Sequence, residues 1–88
     1  MPETREHRLK RLRMRSMRRG IKEMDLILDR FAAAGLAAMD AAGLDLYDAL
    51  LSENDHDLYQ WVSGQVPAPE RYARLIAEIV AGLPPVAR

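Results

Sequence analysis

The segment whose residue types could do chemistry is Arg18-Arg19-Gly20-Ile21-Lys22-Glu23-Met24-Asp25. Gly20 removes side-chain bulk beside a cluster of cations, where another surface could approach closely. Arg19 offers a planar fork suited to a carboxylate or a phosphate. Glu23 lies four residues after Arg19 and three after Gly20, so a continuous helix would put all three on one face. The bland reading is a helix boundary with Gly20 as the turn residue and Glu23 and Asp25 as first-turn acids. Spacing alone favours that reading.

Other constellations are weaker. Glu53, Asp55, His56 and Asp57 are dense in ligand atoms. Consecutive residues at a helix start diverge, however, and the run lacks the glycine and terminal glutamate of a calcium loop. Helix capping accounts for these acids without a metal. The imidazoles are His7 and His56 and the serines are Ser16, Ser52 and Ser63, with no nucleophile elbow among them. Neither a GxGxxG motif nor a phosphate loop is present. No catalytic residue, metal site or stable cofactor site is expected, and the chain is read as no enzyme.

Helices must position whatever the Arg19–Glu23 segment does. Strand-like alternation is absent and helix formers dominate. The first helix is expected over about Thr4 to Met17. Ile21, Met24, Leu28 and Phe31 recur at 3, 4 and 3, with Ile27 widening the stripe, and predict a second helix ending at Gly35 as its C′ stop. Asp40 caps a third helix to Leu51, with Gly43 as a weak point in its first turn. Asn54 or Asp55 starts a fourth helix, which Gly64 ends. Pro69 suits the first position of a fifth, carrying Tyr72, Leu75, Ile76, Ile79 and Val80 up to Gly82. The fold class is all-α, a small five-helix bundle forming a single domain. The helical domain is expected over 8–83, between a flexible basic tail at 1–7 and a C-terminal tail at 84–88.

Eighty-eight residues make one domain and exclude a dinucleotide-binding sheet, a barrel or a two-domain enzyme. Cysteine is absent, which rules out disulfides and thiolate sites. No apolar run approaches the ~18 residues of a membrane span, so no membrane insertion is expected. The N-terminus has no apolar signal core. It is Arg-rich but carries Glu3 and Glu6 and only Ser16, unlike a transit peptide, so the expected location is cytoplasmic. The net charge of zero hides a polarity. Residues 1–22 hold nine basic and two acidic residues, whereas 31–70 hold seven acids and no Lys or Arg. Such asymmetry means either a charged partner or pairing between the two halves. Nucleic acid could use the basic segment, but that segment lacks aromatics for stacking.

Arg-Arg-Gly-x-x-Glu-x-Asp, an apolar run ending in Phe31, Leu50-Leu51, and Asp55-x-Asp57-Leu58-Tyr59-x-Trp61 together resemble the SdhE family. This is the FAD assembly factor of succinate dehydrogenase, also known as the antitoxin CptB type. The resemblance covers about residues 8–80. Met14 and Met17 depart from it, standing where relatives often carry aromatics, and so does Gly43. It implies a five-helix chaperone that binds the flavoprotein subunit of succinate dehydrogenase, or of fumarate reductase, and promotes covalent attachment of FAD to that client. FAD belongs to the client. The implied client-binding residues are Arg18, Arg19, Gly20, Glu23 and Asp25, with Asp25 bracing the motif and Phe31, Tyr59 and Trp61 in the core. The chain is expected to be a monomer with weak self-association. The alternatives are a helical interaction module of antitoxin type and, third, a nucleic-acid binder.

Overall fold

Apolar residues at helical spacing require a shared core, and local caps decide where each helix begins. The computed structural model describes residues 3–17 and 19–82. Five α-helices follow one another: α1 (Arg5–Ser16), α2 (Lys22–Gly35), α3 (Ala41–Leu51), α4 (Asp55–Val62) and α5 (Glu70–Ala81), with a 3₁₀ turn at Leu36–Ala38. No strand occurs among the described residues. The all-α, five-helix expectation holds. Thr4 caps α1 by accepting from the His7 amide, Asp40 caps α3 through Gly43 and Asn54 caps α4 through His56. Residues 5–7, read above as tail, are the first turn of α1. The 84–88 tail lies outside the described residues.

Three local expectations need correction. Gly35 does not reverse the chain in a left-handed conformation; its φ is −131° and the chain tightens into the 3₁₀ turn. Leu36 is buried, so the core draws the chain onward past the glycine. Pro69 is the cap residue of α5 and not its first helical residue. Gly43 is less a weakness than a fit. A Cβ there would stand 3.2 Å from the capping Asp40 oxygen and 3.4 Å from Met39 Cβ. Gly64 does adopt a left-handed conformation, with φ 81°, just after α4.

The core joins Leu12 of α1, Met24 and Leu28 of α2, Tyr47 and Leu50 of α3, Leu58 of α4 and Tyr72 and Ile79 of α5. Tyr47 and Tyr72 are its buried aromatics; Phe31, Tyr59 and Trp61 pack half-buried at its edge. The Phe31 ring lies 5.6 Å from that of Tyr47, and the Trp61 ring 5.8 Å from that of Tyr72. The Tyr47 hydroxyl meets buried Ser16 at 2.5 Å, and Ser16 donates to the Leu12 carbonyl. Burial pushes the Tyr47 phenol up to about 12.

The charge polarity is resolved inside the molecule. α1 lies parallel to α3 at a constant offset of 37 residues: Arg8 meets Asp45, Arg11 meets Asp48 and Arg15 meets Ser52. Both helices use spacings of 3 and 4, so the partners form two matching stripes. Arg15 also reaches Asp48, and Arg11 bonds Glu3 at 2.7 Å. Against α2, which runs antiparallel, Arg13 bonds Asp29 at 2.9 Å and Arg5 donates to the Ala37 and Met39 carbonyls. The basic segment is therefore largely occupied by the chain's own acids and carbonyls, which removes the observation that favoured a nucleic-acid partner.

Hydrogen bonds from Arg11, reinforced by the Arg11 and Arg15 charges, hold the Asp48 carboxyl below its ordinary value of 3.8. A depressed folded value stabilises the fold fully above the ordinary value and is lost as pH falls through the folded one. Thermal unfolding between pH 7 and pH 2 checks this. At pH 7 Asp48→Asn should melt about 4 °C or more below wild type, and the two curves should converge at the acid end. Parallel curves would contradict the pairing.

Candidate functional site

The corner between α1 and α2 holds four of the five expected binding residues; Arg18 lies outside the described residues. α1 stops at Ser16 and α2 starts at Lys22, so the segment is a break and not a continuous helix. Ile21, the cap position of α2, supplies no side-chain cap. The corner must be fixed by other means.

Arg19 does this from below. Its side chain turns inward and is 12% exposed. Nε donates to Asp55 Oδ1 at 2.6 Å, Nη1 to the Leu51 carbonyl at 2.8 Å and Nη2 to the Glu53 carbonyl at 3.2 Å. A longer bond of 3.4 Å returns from Nη1 to the Arg15 carbonyl. The guanidinium thereby closes carbonyls at the ends of α1 and α3, which no helix of their own can satisfy. The sequence reading gave Arg19 an outward fork; in the structure that fork is engaged within the chain.

The corner's backbone is held from two sides. The Arg19 amide donates to Asp25 Oδ1, from the first turns of α2. The Gly20 amide donates to Asp55 Oδ2 at 2.5 Å. The sequence leaves Asn54 or Asp55 as the cap of α4. Asn54 takes the capping role, and the Asp55 carboxylate, 20% exposed, spans Arg19 and Gly20. Spacing could not reveal this, because the partners are 36 and 35 residues apart.

What faces outward is the Gly20 backbone, Lys22, Glu23 and, one turn on, Leu26, whose exposure is 64%. Leu26 stands off the Ile21, Met24, Leu28 and Phe31 stripe of α2. This surface has an acid, a base, a bare backbone and one large apolar side chain. It has no nucleophile or proton-transfer pair, and among the described residues no group of three metal-ligating side chains occurs. A separate groove of about 410 Å³ between α1 and α2, lined by Leu9, Met14, Ala33 and Ala37, does not include the corner. No helix among the described residues is long and apolar enough to cross a membrane.

Comparison with known proteins gives the same direction. A family described as flavinator of succinate dehydrogenase matches residues 10–82. A protein of Meyerozyma guilliermondii named "Succinate dehydrogenase assembly factor 2, mitochondrial" is 44% identical over 73 residues, covering 80% of this chain and 54% of its own. Proteins of the same name from Candida glabrata and Schizosaccharomyces pombe are 49% and 43% identical, over 70% and 80% of this chain and 42% and 50% of theirs. The chain thus spans about half the length of these relatives. The cytoplasmic expectation is corrected by the same comparison, since these relatives are named mitochondrial and a leader-poor N-terminal composition does not outweigh that. The chain belongs to the family of succinate dehydrogenase flavinators.

Arg19→Lys separates an internal clasp from a free fork. An ammonium cannot reach Asp55 and three carbonyls together. Urea denaturation should show a loss of about 1–2 kcal/mol. An unchanged midpoint would mean that the fork is not engaged.

Proposed function

We propose that, as a member of this family, the chain is an assembly chaperone that docks on the flavoprotein subunit of succinate dehydrogenase, or of fumarate reductase, and promotes covalent attachment of FAD to a histidine of that subunit. The observation that carries this reading is the family match over residues 10–82, together with an exposed Gly20–Glu23 corner that the fold holds in one shape.

The chain contributes no catalytic group and holds no flavin of its own; the reacting atoms belong to the client and to FAD. Its contribution is positioning. Correct orientation of two reacting groups can be equivalent to a concentration of roughly 10⁵ M or more, so a protein that only holds the client in register has an adequate physical role. Gly20 and Glu23 meet the client. Gly20 allows backbone-close approach and Glu23 pairs with a client cation. Arg19 and Asp25 support the corner from behind, consistent with their bonds inside the chain.

In-gel flavin fluorescence of the denatured flavoprotein subunit tests this, because denaturation leaves only covalent flavin. Cells lacking the chain should show at least about a tenfold lower signal, restored by wild type. Gly20→Arg should fail to restore it while its helical circular dichroism persists. An undiminished signal without the chain would overturn the function. Normal flavinylation by Gly20→Arg would overturn the docking face.

A further inference from the structure

Gly20 is not needed for its backbone angles, since among the described residues only Gly64 has a positive φ. Space is the constraint. A Cβ built on Gly20 would stand 3.1 Å from Asp55 Oδ2, closer than ordinary contact, and among the described residues, its two chain neighbours apart, nothing else lies within 4 Å of it. The atom that a side chain here would crowd is an oxygen of the chain's own Asp55 carboxylate.

We infer that Asp55 is a positioning residue for client docking, and that glycine at position 20 is required because Asp55 must reach the Gly20 amide. This rests on the docking role proposed above. Asp55 stands at the first residue of α4, where the helix N-terminus favours a negative charge. One oxygen takes Arg19 Nε and the other takes the Gly20 amide, so a single carboxylate ties the corner to α4 and orients the staple that closes α3. Any side chain at position 20 displaces that oxygen by a few tenths of an ångström. The displacement loosens both bonds and shifts Gly20 and Glu23 together. A small substitution at Gly20 therefore acts through Asp55, before any bulk meets the client.

The two causes differ in additivity. Wild type, Gly20→Ala, Asp55→Ala and the double variant are titrated against purified FAD-free flavoprotein subunit, at a temperature where circular dichroism shows each chain folded. Melting temperatures are taken in parallel, because a merely structural role would lower them and leave the affinity of folded chain unchanged. With Asp55 present, Gly20→Ala should weaken binding about tenfold; with Ala at position 55 it should add less than about twofold. Asp55→Asn, which keeps the volume but offers one acceptor oxygen to two donors, should fall between wild type and Asp55→Ala. It serves also if Asp55→Ala does not fold, with Gly20→Ala then placed on it and expected to cost less than on wild type. An equal Gly20→Ala penalty in both backgrounds, or wild-type affinity in folded Asp55→Asn, overturns the inference and leaves the docking role standing. Absence of binding by wild type overturns both, which tells the two failures apart.

Discussion

The Arg19–Asp55 pair is the interaction on which the rest of this small fold depends. Four chain segments converge on it: the end of α1, the start of α2, the end of α3 and the start of α4. Helix ends leave carbonyls and amides without partners, and a bundle this small has little apolar surface with which to cover them. A planar guanidinium facing a two-oxygen carboxylate satisfies several of these groups at once. Ion pairs removed from water gain little unless their remaining hydrogen-bonding capacity is filled. Here the filling is internal, so the pair serves chiefly to give the corner one geometry.

The same economy explains α1. That helix buries only Leu12 and Ser16, too little apolar surface to dock firmly by hydrophobic contact alone. Its arginines compensate by running along the acids of α3 in register and by closing carbonyls at the 3₁₀ turn. The charge polarity of the sequence is in this sense a folding device. It matches the basic first helix to the acids of α3 in the middle of the chain, and the exposed Gly20–Glu23 corner stands outside that pairing.

Much of this was legible in residue order. The stripes of α2 and α5, the Asp40 cap and the alternative cap at Asn54 all follow from contacts within about one turn. The motif around Gly20 was legible as a motif. The inward turn of Arg19 was not, because its partners are set by tertiary packing across more than thirty residues. The second role of Asp55 is hidden for the same reason, since locally it reads only as an acid at the start of α4. Gly35 and Pro69 show the converse, where burial of Leu36 and the extended backbone at Pro69 outweigh local preference. Arg8, Arg11 and Arg15 share their spacing with Asp45, Asp48 and Ser52, which is the trace in the sequence of two helices lying in register.

Amide hydrogen exchange at Gly20 tests the central claim most directly. Gly20 is exposed and outside any helix, so without the clasp its amide would exchange at nearly the rate of an unfolded chain. Held by Asp55, it should exchange at least about 100-fold more slowly, and Asp55→Asn should restore much of the speed. An unprotected Gly20 amide in the folded wild type would show that the carboxylate does not hold the corner.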